Sequence, residues 1–404
     1  MMKRTLIMAA MTAAVTARAV PSVTNVQMMQ REKSRIVDIT YTLADETAIV
    51  TLAIETNGVP LPDSAVTSLF GDVCKEVPPG DGAIVWNAGA DWPECSVTNA
   101  KARVTAWSLL APPQVMVVDL SKGTGATAQD PYPARYYTSL EALPYGGVTN
   151  VAYKTGLLVL RKLPAGHFFM GVEGKGVSTT LTQDFYAGVY EVTQEQWSRV
   201  MGVNLSDFKG DDKPVNRVSY YDIREVWSAS GSWVDGGSAI SPNWPATNAV
   251  GSTSFMGKLR ERTGMTGFDL PTDAQWEYLC RAGTTTYFND GAIVTNVAAQ
   301  LNVLGWWNDN ALGVVHTVGQ LLPNEWGLYD THGNVWEFSL NFFTNTLYAA
   351  TDPKGPLSNS DGYRMTRSGT INSGTSSCCS SYRGSTWPSR RLNMIGFRVV
   401  RNFQ

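Results

Sequence analysis

Apolar and polar residues alternate in short runs over the first third of the chain. Ile36, Ile39, Tyr41 and Leu43 open one run, Ile49-Val50-Thr51-Leu52-Ala53-Ile54 a second, and Ala102 to Leu109 a third. Period-two alternation predicts strands with one buried face. Turn-forming clusters separate them, Asn57-Gly58 and Pro78-Pro79-Gly80-Asp81-Gly82. Short strands punctuated in this way predict a small β-sandwich over residues 20–118. Between 119 and 158 the pattern gives way to Lys122-Gly123-Thr124-Gly125, Pro131, Pro133 and Pro144-Tyr145-Gly146-Gly147, which reads as a linker. The apolar run Leu157-Leu158-Val159-Leu160 then opens a second globular unit, 159–404.

Residues 1–19 have the order of an export signal: Lys3 and Arg4, an apolar stretch from Leu6 to Val15, then Ala17-Arg18-Ala19. A buried N-terminal helix is the alternative, and Pro21 counts against it. No later stretch is long and apolar enough to span a bilayer. The expected location is therefore outside the cytoplasm: periplasmic, on the cell surface or secreted.

The low charge (17%) with many glycines and tryptophans suits an irregular, loop-rich fold better than long helices. A net charge of −3 offers no basic face, which excludes a nucleic-acid partner. Five cysteines are few for an exported chain, so disulfides are not its main support. Cys74 and Cys95 could pair, and sequence leaves open whether their Cβ atoms meet. Cys280 sits in an apolar helix pattern and reads as a small core residue. The first unit has no histidine and no catalytic constellation, which makes it a spacer or interaction module.

The second unit carries several phrases in a fixed order. Gly166-His167-Phe168-Phe169-Met170-Gly171 reads as a strand ending in a tight glycine turn. In Tyr190-Glu191-Val192-Thr193-Gln194-Glu195-Gln196-Trp197, Thr193 and Gln196 have the spacing of a capping box. Lys213-Pro214-Val215-Asn216-Arg217-Val218-Ser219 leads to a helix from about Tyr221, and Thr272 caps a second one whose Trp276 and Leu279 share a face. Asn324-Glu325-Trp326-Gly327-Leu328-Tyr329-Asp330 runs into Gly333-Asn334-Val335-Trp336-Glu337-Phe338, and Ile395-Gly396-Phe397-Arg398-Val399 closes the chain. In this order the phrases resemble the sulfatase-modifying-factor family, the fold of the formylglycine-generating enzymes. The resemblance implies an α+β, C-type-lectin-like domain. The polar stretch 231–253 departs from the family as an insertion and reads as a surface loop.

The resemblance also implies a structural calcium ion. Asp330 and Glu337 would hold it by side chain, Gly333 and Val335 by carbonyl, a hard-oxygen set that calcium accepts. The alternative is that Asp330 caps a turn and Glu337 makes a salt bridge. His167, His316 and His332 show no metal-ligand spacing. The family's enzymes oxidise a substrate cysteine with copper held by two cysteines about five residues apart, since paired thiolates suit a soft cuprous ion. Here the corresponding segment begins Arg367-Ser368-Gly369-Thr370-Ile371-Asn372-Ser373, and its only cysteines are the late, adjacent Cys378 and Cys379. On an extended strand such neighbours point to opposite faces, so copper is not expected. One of the pair should be buried and the other partly exposed.

Between Ser368 and Asn393 the chain is loaded with Ser, Thr, Gly and Asn, broken by Trp387, Arg390 and Arg391. Adaptable binding surfaces use this composition. In some exported relatives the same segment is diversified by a retroelement through adenine-targeted mutagenesis. The residues here fit that substitution set except Trp387 and Met394, and an ordinary polar loop remains the alternative. The expected ligand-binding positions are Trp336, Thr370, Ile371, Asn372, Ser373, Thr375, Ser385, Thr386, Trp387, Arg390, Leu392 and Asn393. The expected function is an exported, non-catalytic protein with a protein or glycan ligand. A formylglycine-generating oxidoreductase is the alternative.

Overall fold

The computed structural model describes residues 20–403 apart from 62–64, 95–98, 110, 173, 228–232, 235–248, 294–295, 348 and 357–360. The export signal, most of the 231–253 insertion, and Cys95 with its question of pairing to Cys74 lie outside the described residues. The chain divides into two compact units, Met1–Ala111 and Pro112–Gln404.

The first unit is a sandwich of two antiparallel sheets. One sheet has the order Ser22–Gln30, Ile36–Ala44, Gly80–Asn87, Leu69–Gly71. The other is built on Ala48–Thr56, which pairs with Ala100–Ser108, Val59–Pro60 and Glu76–Val77. Alternation fixes the inner face, because Val37, Ile39, Tyr41 and Leu43 are buried together against Ala48, Val50 and Ile54 of the facing sheet. Asn57 and Gly58 both have positive φ, 53° and 78°, as a two-residue hairpin requires. The second expected turn is only half a turn. Gly80 already begins a strand, and Gly82 lies so close to the Tyr41 ring that a Cβ there would sit 2.2 Å from it.

The second unit begins earlier than its hydrophobic pattern suggests. The stretch 119–158, read as a linker, belongs to it: Val115–Asp119 pairs with both Ala134–Tyr137 and Leu157–Leu163. Val115, Met116, Val117 and Val118 are all buried, as a strand covered on both faces should be. The resulting sheet runs Ala134–Tyr137, Val115–Asp119, Leu157–Leu163, Phe185–Gly188, Val400–Asn402, Phe268–Asp269, antiparallel throughout. A second sheet runs Gly384–Thr386, Arg364–Arg367, Trp336–Phe342, Ile395–Gly396, with the last pair parallel. A small third sheet joins Gly166–Met170, Val177–Leu181 and Ala350–Thr351.

Three short helices start at reciprocal caps. Thr193 with Gln196, Ser219 with Asp222, and Thr272 with Gln275 each form a complete capping box, so the expected starts hold. Trp276 and Leu279 are fully buried on one face of the helix Asp273–Arg281.

A buried ion pair links the layers. Arg398 donates to both oxygens of Glu337, at 2.8 and 3.2 Å, and Trp276 Nε1 donates to the same carboxylate at 2.7 Å. The remaining guanidinium donors reach the carbonyls of Gly188, Val189 and Tyr329. Arg398 and Glu337 are wholly inaccessible to solvent, so neither charge would be tolerated without the other. One contact therefore joins the closing strand region, the strand Trp336–Phe342, the strand edge at Gly188 and the helix Asp273–Arg281.

Candidate functional site

The terminal segment leaves the strand Arg364–Arg367 under tight control. Arg367 is fully buried and donates to Asp273 Oδ1 at 2.6 Å and Glu277 Oε2 at 3.1 Å. It also reaches the carbonyls of Ser380 and Tyr382, which draws the returning chain onto the same helix. Ser368 has φ +82° and donates to the Gly333 carbonyl at 2.9 Å. The loop then closes on itself, with Thr370 Oγ1 accepting from Asn372 N and Ser373 Oγ accepting from Thr370 N.

These anchors divide the expected ligand-binding residues into two groups. Asn372, Ser385, Trp387, Arg390 and Leu392 are exposed, and Trp336, Ser373, Thr375 and Asn393 are half-buried. Thr370, Ile371 and Thr386 are buried and do not belong on a ligand surface. Ile371 packs with Ala311, Val315 and Val335 because its N–H bonds the Asn334 carbonyl at 3.1 Å and turns the side chain inward. Thr386 sits in strand register with Arg364.

On the exposed side, Trp387 packs on Tyr363 with ring centroids 4.5 Å apart, and Trp336 packs on Tyr382 at 5.5 Å. Arg391 holds its end of the loop through both oxygens of Asp222, at 2.7 and 2.5 Å. Sequence reading missed Tyr363 and the Arg391–Asp222 pair. Both depend on contacts between distant segments, and nothing local announces them.

The adjacent cysteines depart from expectation in conformation and burial. They follow the 3-10 turn Thr375–Ser377 rather than lying on a strand, and both are buried in one apolar cluster with Phe288, Leu301, Leu304 and Trp307. Cys378 Sγ lies against Gly369, whereas Cys379 Sγ contacts the Ser376 carbonyl at 3.3 Å. Burial pushes the Cys378 and Cys280 thiols up to about 12, which keeps them protonated at neutral pH. A cuprous site needs thiolates. His332 is a core residue: burial lowers it to about 4, its Nε2 accepts from Asn289 N, and its Nδ1 bonds the Cys378 carbonyl.

The expected calcium residues are close together but unequally free. Glu337 is engaged by Arg398 and Trp276 as described, and the Gly333 carbonyl accepts from Ser368. Val335 N donates to Glu191. Asp330, at φ +56°, accepts from Gly319 N through Oδ2, while its buried Oδ1 has no partner among the described residues. Burial raises Asp330 to about 6, and burial with the charges of Asp330 and Glu337 holds Glu191 well above its usual range. The buried, unpartnered Asp330 Oδ1 is the one feature here that fits a hard cation. Among the described residues no three His, Cys, Asp or Glu side chains are grouped to hold a metal, so such an ion would rely on backbone carbonyls.

Residues 158–403 match the family of sulfatase-modifying factor enzyme 1-like domains. The chain is 34% identical over 171 residues to "Chaperone protein LppX" of Paenibacillus barcinonensis, covering 38% of this chain and 61% of that relative. Against the formylglycine-generating enzyme of Mus musculus it is 25% identical over 296 residues, 63% of this chain and 78% of that relative. The solved structure of Treponema denticola variable protein 1 aligns at 24% identity and a TM-score of 0.47, over 61% of this chain and 95% of that one.

Two measurements check this geometry. Ile371→Ala should lower the unfolding free energy by about 2–5 kcal/mol in denaturant titration, whereas Trp387→Ala, at a site 39% exposed, should leave the melting temperature nearly unchanged. Asp330 has a folded-state value above its ordinary 3.8, so the folded chain binds more protons than the unfolded chain between there and about 6. The group's contribution is therefore full below that window and is lost as pH rises through it, on the order of 3 kcal/mol in all. In chelator, the melting temperature of wild type should fall across this range more steeply than that of Asp330→Asn. Parallel curves would refute the assignment.

Proposed function

The chain belongs to the sulfatase-modifying factor enzyme 1-like family, and from that premise we propose that it is an exported, non-catalytic binding protein. Its ligand, a protein or a glycan, meets the exposed part of the terminal segment. The observation that carries this reading is the exposed Trp387 resting on Tyr363, on a loop whose backbone is tied down by buried Arg367 and Ile371. A rigid aromatic with small polar neighbours gives contact area at low entropic cost. Ser385, Arg390, Leu392, Asn372 and Asn393 supply the rest of the surface, with Trp336 and Tyr382 beside it. The burial of Cys378 and Cys379 in one apolar cluster, with the Cys378 thiol pushed up to about 12, supports a reading without copper chemistry. Retroelement diversification of Ser368–Asn393 belongs to the same proposal: only surface positions would tolerate it, and the buried framework would stay fixed.

Calcium is the structural ion of this proposal. Asp330, with the carbonyls of Gly333 and Val335, would hold it, its unpaired Oδ1 meeting the ion while Glu337 keeps Arg398.

The test is a glycan and protein array probed with the purified chain. Wild type should bind at least one class of target, and Trp387→Ala should lose that signal at unchanged melting temperature. The oxidoreductase alternative is tested in parallel with cuprous ion and a Cys-x-Pro-x-Arg peptide: oxygen uptake with conversion of the cysteine would overturn the proposal. Calcium should raise the melting temperature of wild type by several degrees and leave Asp330→Asn unmoved, an increment of the size expected for ligand linkage.

A further inference from the structure

Around the helix Asp273–Arg281 the buried charges do not balance. Arg281 pairs with Glu277, Glu277 with Arg367, Arg367 with Asp273, and Asp273 with Arg383. Three guanidiniums thus share two carboxylates. Arg281 and Arg367 complete their bonding on backbone carbonyls, those of Gly171 and Thr286 and those of Ser380 and Tyr382. Arg383 donates Nε and Nη2 to Asp273 Oδ2 at 3.0 and 2.7 Å, and its Nη1 has no partner among the described residues. The surplus positive charge of the network therefore resides at Arg383, whose side chain is only 12% exposed.

Arg383 and Asp273 form one wall of a cavity of about 350 Å³. Much of the remaining lining is apolar, with Met170, Ala274, Phe342, Leu347, Ala350 and Pro353, and Asn341, Thr344, Thr346 and Lys354 supply its polar part. Asp273 offers no unpaired charge there, because Oδ1 is held by Arg367 and Oδ2 by Arg383. A largely apolar chamber whose wall carries the Arg383 guanidinium, with Lys354 also in its lining, selects a particular chemistry. We propose that this cavity binds a small carboxylic acid, its carboxylate on Arg383 Nη1 and its apolar body against Met170, Phe342 and Leu347. Burial holds the Arg383 guanidinium below its ordinary value, the sign of a poorly solvated charge that a bound anion would relieve. A volume of this size takes a body on the order of ten heavy atoms, at the small end of ligand sites. The site stands apart from the surface around Trp387 and does not depend on the binding role proposed for it.

Calorimetric titration of the full chain with hexanoate and hexanamide tests the assignment. Hexanoate should bind at least about tenfold more tightly, because only the acid makes a charge-assisted bond. Arg383→Gln should erase that preference. Should that variant fail to fold, Ala350→Phe decides, since it fills the cavity without touching the charge network: hexanoate binding should vanish at unchanged melting temperature. Binding of the tripeptide Gly-Gly-Leu, but not of its C-terminal amide, would support the same chemistry with a chain end as the source of the carboxylate. Equal affinity for hexanoate and hexanamide, hexanoate binding retained in Ala350→Phe, or no binding by either acid would overturn it.

Discussion

Glu337 and Arg398 are 61 residues apart in the chain and meet with no solvent between them. Each would be intolerable alone, since an unpaired charge inside a protein costs several kcal/mol. The pair can form only when the strand Trp336–Phe342, the closing Ile395–Val399 segment and the helix Asp273–Arg281 are all in place. Around it the other buried polar groups fall into order. Glu191 receives Asn334 and the Val335 amide, Asn334 receives His316 N, and Arg367 fastens the terminal segment to Asp273 and Glu277. The second unit is held together by these buried polar contacts as well as by its apolar core.

The family phrases therefore have a structural meaning here. In Gly333-Asn334-Val335-Trp336-Glu337, the glycine has φ +84° and lies so near Trp306 that a Cβ would come within 2.0 Å of its carbonyl oxygen. The asparagine and glutamate are wholly consumed by internal bonds. The same holds for Gly396-Phe397-Arg398, whose glycine approaches the Val215 carbonyl. What the framework leaves free is the outer surface of the terminal segment, where Trp387, Ser385 and Leu392 can change at little cost to folding. A scaffold that confines its constraints to the interior is suited to carrying varied surfaces.

Much of this was legible in the sequence, and the failures share a cause. Capping boxes at Thr193 and Thr272 depend on residues three apart, and the sandwich strands on alternation within one run, so local pattern sufficed. Val115–Asp119 was placed in the wrong unit because its apolar run says nothing about which strand it will pair with. Ile371 was read as surface from its polar neighbours, yet a backbone bond to Asn334 sends it into the core. Cys378 and Cys379 were read on an extended strand, yet they follow a 3-10 turn and both are buried, with burial raising the Cys378 thiol. A salt bridge of Glu337 was read only as the alternative to a metal-ligand role, and its partner Arg398 was not foreseen because it lies in another phrase.

The most direct measurement of this account is a double-mutant cycle on Arg398 and Glu337, read by denaturant unfolding. Arg398→Met and Glu337→Leu should each lower stability by about 3–5 kcal/mol, because each strands a buried charge. The double variant should be far more stable than the sum of the two losses implies, since it strands neither charge. Small, additive losses of about 1 kcal/mol or less would mean that the pair does not organise the fold, and the reading of the family phrases as internal framework would be contradicted.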